Sequence, residues 1–246
     1  MHRFFLPADA IEGGAATLKG REWRHGRTVL RVGQKDRLTL FDGAGTEYLA
    51  EIVELQPHAA RVRILQKTVT PRPPYDITLA QALPKSKAMD YIVQKATELG
   101  VRQIMPVFSE RSVVRLEPAA AASRVRRWRE IAMDAAKQCG LNWLPEITLP
   151  KTMTEVAGLH ATCPLAFIGS LQPEARPLWS HLRDHATAGA KCLLMIGPEG
   201  DFTPAEMATA RSAGFLPLSL GPLVLRCDTA AVCAISTLSY ELRRRE

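Results

Sequence analysis

Residues 191–229 read KCLLMIGPEGDFTPAEMATARSAGFLPLSLGPLVLRCDT, and the fold class turns on how this stretch is parsed. Cys192 to Ile196 are five consecutive apolar residues. Such a run is too short for a helix and lacks polar alternation, which predicts a strand buried on both faces of a parallel sheet. It stops at Gly197-Pro198-Glu199-Gly200, where Pro198 restricts φ and the glycines let backbone come close to a bound molecule. A helix is predicted at once: Thr203 suits the N-cap, Pro204 the first helical position, Glu206 closes a capping box and Gly214 ends the helix. Phe215 to Leu220 repeat the buried-strand pattern and stop at Gly221-Pro222. In open α/β sheets ligands bind beyond the carboxyl ends of strands, so the two Gly-Pro turns mark the candidate site. Ala230 to Leu242 are apolar on nearly every face, which predicts a helix capped by Asp228 or Thr229 and buried in the core or against another subunit.

Upstream of this stretch, strand and helix patterns alternate. Strands are predicted over Ile77 to Leu83, Gln103 to Phe108 and Cys163 to Ile168, and helices over Ala88 to Leu99, Pro118 to Cys139 and Leu178 to Ala186. That order predicts an α/β domain with a mostly parallel sheet over residues 73–246. Pro71-Arg72-Pro73-Pro74 is a stiff linker and the natural boundary. Residues 1–72 predict a small β domain, because Arg37 to Phe41 and Glu47 to Val53 flank an Asp42-Gly43 turn and Arg61 to Ile64 continue the alternation. The GAGTEY stretch beginning at Gly43 lacks the third glycine and the following helix of a dinucleotide loop, so the hairpin reading prevails.

The charge balance of 32 Lys+Arg against 25 Asp+Glu gives +7, which favours a polyanionic partner without requiring one. Arg3, Arg21, Arg24, His25, Arg27 and Arg31 cluster in and around a predicted helix from Glu22 to Leu30, either as a solvated face or as a phosphate-binding surface. Arg124, Arg126, Arg127 and Arg129 surround Trp128, which is expected to pack inward and leave the arginines in solvent. Cys139, Cys163, Cys192, Cys227 and Cys233 form no CxxC pair and read as reduced thiols of a cytoplasmic protein. No segment approaches the roughly 20 apolar residues that span a bilayer, so no membrane association is expected.

IGPEGDF, followed by LGPLVLRCDTA, resembles the motifs of the SPOUT-class methyltransferases of the RsmE type, which methylate N3 of a uridine in 16S ribosomal RNA. HRFF, HGRTVLRV and LFDGAGTEY are similar to that family's amino-terminal PUA-like β-barrel, taken to help grip RNA. The resemblance implies an α/β fold whose carboxy-terminal SPOUT domain is tied in a trefoil knot, a homodimer, S-adenosylmethionine as methyl donor, and 16S rRNA or the small ribosomal subunit as partner. No metal is implied. Donor binding is then expected from Gly197, Pro198, Glu199, Gly200, Leu218, Ser219, Leu220, Gly221 and Leu225. A rival methyltransferase fold is disfavoured, since no GxGxxG follows a strand. The N3 of uracil lies between two carbonyls and must lose a proton to attack, so a fixed cation stabilises the transition state and Arg226 is the candidate. Asp228 or Glu199 is placed to take the proton, with a simple helix cap as the competing role of Asp228. Arg3, Arg24, Arg27, Arg31, Lys85, Lys87 and Arg111 are expected on the RNA side, Arg111 alternatively organising the site, against solvated charges for the lysines and a structural ion pair for Arg111. Departures from the family pattern fall at Leu141, Trp143, Asp201, Leu223, Cys227 and Asp228. They keep two other readings open: a non-catalytic RNA-binding assembly factor, and the same chemistry on another RNA site such as a ribose 2′-hydroxyl.

Overall fold

The computed structural model describes residues 1–85, 88–112, 117–183 and 190–243. The chain divides into two compact units, one of Met1–Arg72 with Ala136–Leu144 and one of Pro73–Ala135 with Pro145–Glu246. Residues 136–144, expected with the second unit, thus group with the first.

The first unit holds β1 (Arg3–Phe5), β2 (Ile11–Glu12), β3 (Ala15–Lys19), α1 (Gly20–Thr28), β4 (Arg37–Phe41), β5 (Thr46–Leu55) and β6 (Ala59–Val69). Its six strands run in the order β1-β4-β5-β6-β3-β2, antiparallel except for the β1-β4 pair. The core is built from inward-facing residues such as Phe4, Leu18, Leu38, Leu40 and Ile52, with Trp23 of α1 packed on them. At the β4-β5 turn the Asp42 carboxylate accepts from the Ala44 N–H at 2.7 Å and the Thr46 N–H at 2.9 Å, an Asx device that fixes the hairpin. The same turn explains why residues 136–144 belong here. Gly45 N–H donates to Asn142 O and Leu144 N–H to Gly43 O, both at 2.9 Å. A Cβ on Gly45 would stand 2.2 Å from the Trp143 indole, so only glycine admits that ring. Trp143 in turn donates to Thr70 O and carries the Arg72 guanidinium 4.0 Å over its ring.

The second unit contains β7 (Asp76–Ala82), α2 (Ala88–Glu98), β8 (Gln103–Phe108), α3 (Pro118–Cys139, its last turn in the first unit), β9 (Glu146–Ile147), β10 (Lys151–Thr152), α4 (Met153–Ala157), β11 (Leu165–Gly169), β12 (Arg176–Pro177), α5 (Leu178–Leu182), β13 (Lys191–Ile196), α6 (Pro204–Ser212), β14 (Leu216–Ser219) and α7 (Cys227–Arg243). All strand pairs are parallel, in the order β10-β8-β7-β13-β11-β14-β12, with β9 beside β8. β13 shows why its sequence is unbroken by polar residues: Cys192, Leu194 and Ile196 join the core under α2, α3, α5 and α7, while Leu193 and Met195 join the core under α4 and α6. Trp128 is buried in the first of these cores, as expected, with Arg124, Arg126, Arg127 and Arg129 at the surface. The predicted helix over Leu178 to Ala186 is seen as Leu178–Leu182, its expected end lying outside the described residues.

α7 is expected to be buried in the core or against another subunit, and this chain buries one stripe of it. Ala231, Ala234, Ile235, Leu238 and Leu242 form a buried stripe, but Tyr240 is exposed and Val232 and Cys233 are half-buried. The helix is therefore covered on one side only by this chain. Among the described residues no helix is long and apolar enough to cross a membrane.

Candidate active site

β11, β13 and β14 are linked edge to edge, with Ile168 opposite Met195 and Gly169 opposite Leu218, so their carboxyl ends lie level. A cavity of about 860 Å³ opens there. Of the residues expected to bind the donor, Gly197, Pro198, Glu199, Leu218, Ser219, Leu220, Gly221 and Leu225 all line it, together with Arg226 and Asp228. Gly200 is not among the lining residues; its carbonyl accepts from Arg111 Nη1 at 2.7 Å, so it lies on the outer side of the turn. Sequence reasoning missed a third wall, Gly169 to Gln172 after β11. The strand before it was predicted, and the strand-end rule applied to that strand also would have found the wall.

The first Gly-Pro turn is built as its sequence demands. Thr203 Oγ1 accepts from Glu206 N–H and the Glu206 carboxylate accepts from Thr203 N–H at 2.8 Å, the expected capping box with Pro204 in the first turn. Asp201 N–H closes back on Pro198 O at 3.0 Å. Asp201 has φ 58°, the left-handed region that glycine occupies freely and aspartate better than most residues. This is one of the positions that depart from the family pattern, and its backbone favours glycine. The Asp201 carboxylate offsets part of the strain by accepting from Phe202 N–H at 2.8 Å. Glu199 is held as well: its two carboxylate oxygens accept from Lys85 N–H at 2.9 and 3.1 Å. That engagement makes Glu199 a brace of the turn, which weakens its candidacy as a proton acceptor.

The second turn leads into α7. Arg226 O accepts from Ala230 N–H at 2.7 Å, so Arg226 holds the cap position expected of Asp228 or Thr229. Asp228 lies inside the first turn, where its Oδ1 accepts from Thr229 N–H at 2.8 Å. Arg226 is exposed and, among the described residues, its guanidinium has no hydrogen-bond partner. Among the described residues Glu199, Asp201 and Asp228 give the cavity three carboxylates against the Arg226 guanidinium, a field that suits a cationic ligand. The Cys227 thiol in the same wall is pushed up to about 11, first by burial and then by Glu199 and Asp228. It stays protonated at neutral pH and so is a poor nucleophile toward an alkyl donor.

The residues expected on the RNA side separate. Arg3 is engaged within its own unit: its side chain is 14% exposed, pairs with Glu47 at 2.9 Å and donates to Asn142 Oδ1 at 2.6 Å. Arg24, Arg27 and Arg31 are exposed on and just after α1, Arg27 also donating to Pro57 O. Lys85 is exposed, with its backbone engaged by Glu199. Lys87 lies outside the described residues. Arg111 is engaged by Gly200.

Comparison with known proteins places the chain among RNA methyltransferases. Residues 71–239 match an RNA methyltransferase domain family, and residues 18–65 match an RNA methyltransferase PUA domain. A protein of Mycobacterium bovis named ribosomal RNA small subunit methyltransferase E is 32% identical over 96% of this chain and 90% of its own length. A structure of a Neisseria gonorrhoeae protein of the same name, bound to S-adenosyl methionine, superposes with TM-score 0.87 at 34% identity, covering 98% of both chains. A putative methyltransferase of Legionella pneumophila in complex with the same cofactor gives TM-score 0.88 at 34% identity, covering 97% of both. With a PUA-like half-barrel preceding an all-parallel α/β domain and relatives along nearly its whole length, the chain belongs to the RsmE family of RNA methyltransferases.

Proposed function

We infer that this protein transfers a methyl group from S-adenosylmethionine to N3 of a uridine in 16S ribosomal RNA. The observation that carries the reading is the meeting of both Gly-Pro turns, Arg226 and Asp228 around one acidic cavity at the ends of parallel strands. The residues present fit such a donor. A Cβ on Gly197 would stand 3.3 Å from Asp201 Oδ1 and 3.4 Å from the Phe202 ring, so the bare Cα preserves the shape of the wall. Leu223, Val224 and Leu225 have backbone N–H groups without partners among the described residues, ready for the edge of an adenine.

When bound, S-adenosylmethionine supplies a methyl group activated by a sulfonium charge that vanishes on transfer. The chain's own task is alignment, which accounts for much of the rate gain in a bimolecular displacement. Arg226 faces the uracil carbonyls and stabilises the charge that develops as N3 loses its proton. Asp228, with Oδ1 taken by Thr229, offers Oδ2 to that proton. The target base leaves its stack to reach the site. Arg24, Arg27, Arg31 and Lys85 hold phosphates and fix register. The open side of α7, with Tyr240 65% exposed, joins two copies into a homodimer that works in the cytoplasm. Light scattering should then return twice the 27.1 kDa chain mass, and a monomer at micromolar concentration would remove the dimer.

The test of the reaction is nucleoside mass spectrometry of 16S rRNA from a strain lacking this gene. 3-Methyluridine should be absent and should return when purified protein and donor are added to the small subunits. Unchanged 3-methyluridine in that strain would sink the assignment.

A further inference from the structure

The residues 109–112 that follow β8 do not line the cavity, yet three of them bond to the elements that form or border it. Arg111 Nη1 donates to Gly200 O at 2.7 Å, and the Arg111 stem packs 3.4 Å from the position a Gly200 Cβ would take. Glu110 N–H donates at 2.9 Å to the Glu206 carboxylate, which is only 6% exposed and also holds Thr203 N–H. Ser112 Oγ donates to Leu83 O at 3.0 Å and receives Ser109 Oγ at 2.8 Å. The loop is thus pinned to the end of β7 on one side and to both ends of the 200–203 segment on the other.

We propose that residues 109–112 form a strut that holds the donor-binding turn in its binding shape, with Arg111 as a positioning residue rather than an RNA contact. The inference rests on the methyl-donor reading of the cavity. Its physical basis is the strain in the turn: Asp201 sits at φ 58°, a left-handed conformation that strains a non-glycine residue. A turn so strained relaxes unless its neighbours are fixed, and Gly200 O is the adjacent group that Arg111 grips. The Arg111 bond is charge-assisted, as is that of Glu110 N–H to the Glu206 carboxylate, and it is the tie made directly to the strained turn.

Arg111→Ala should weaken S-adenosylmethionine binding, read by calorimetry without RNA, by about tenfold, the loss expected for one charge-assisted hydrogen bond. Arg111→Lys, which keeps a donor and the stem, should recover most of it. Affinity of the donor-free protein for a 16S rRNA fragment should not change in either variant. Donor affinity equal to wild type in Arg111→Ala, or a loss confined to RNA affinity, would overturn the strut. Should Arg111→Ala fail to fold, Ser112→Ala releases the same loop from Leu83 and is expected to weaken donor binding about threefold; an unchanged value there also overturns it. Wild-type protein that gives no heat with the donor would fail the methyltransferase reading itself, and the strut with it.

Discussion

The two Gly-Pro turns look alike in sequence and differ sharply in how they are held. In the turn after β13, Glu199 is tied to Lys85, Gly200 to Arg111, Asp201 to Pro198 and Phe202, and Thr203 to Glu206. After β14, Gly221 N–H reaches Ser219 Oγ at 3.4 Å, and Leu223 and Val224 are 73% and 78% exposed. The shared dipeptide ends a strand in both cases but does not set rigidity. The residues just beyond it do: an acidic residue at a tight turn and a capping box in one case, an apolar tripeptide in the other. One wall of the cavity is therefore held by many bonds, and the other by few among the described residues.

The largest expected effect belongs to the less restrained wall. Arg226→Ala should lower kcat by about 100-fold to 1,000-fold, the range for removing a group aimed at developing charge. Donor affinity should stay within about twofold, since the backbone of that wall remains. Steady-state kinetics with donor concentration varied separates the two. A rise in KM for donor with kcat unchanged would assign Arg226 to the pocket instead and erase the functional contrast between the walls.

The wall held by many bonds is tested through Glu206, whose buried carboxylate takes N–H groups from Thr203 and Glu110. Glu206→Ala leaves both donors without their acceptor and should cost about 1–3 kcal/mol in urea unfolding. A cost near zero would mean that the turn is held by its neighbours' packing and not by this carboxylate. Donor affinity should fall along with stability, because the same residues shape the cavity.

Much of this wall was legible in the sequence because its determinants are local. Thr203, Pro204 and Glu206 announce a helix start within four residues, and the run Cys192 to Ile196 announces a strand covered on both faces. Local reading could have gone further: Thr152 and Glu155 form an equally complete capping box at α4, a helix the expectations omit. What could not be read depends on distant parts of the chain. Nothing near Trp143 shows that its ring fills the space above Gly45, which moves residues 136–144 into the first unit. Likewise, periodicity finds β7, β11 and β13 but not that β13 lies between the other two. The bonds of Arg3 were unreadable for the same reason, because Glu47 and Asn142 come to it from other elements.

The smallest expected effect is the most telling for the contrast between the walls. Leu223 and Val224 expose most of their surface, so replacing both by Ser removes little burial from the donor-free protein. Stability by urea unfolding should change by no more than about 0.5 kcal/mol, the range for surface substitutions. Both side chains line the cavity, however, and a ligand that enters it covers them. Covering two aliphatic side chains even partly is worth about 1–2 kcal/mol at roughly 25 cal/mol per Å². The double variant should therefore bind donor or RNA about tenfold more weakly while unfolding like wild type. A stability loss as large as that of Glu206→Ala would show that this wall is already packed in the free protein, and the two turns would then be held alike after all.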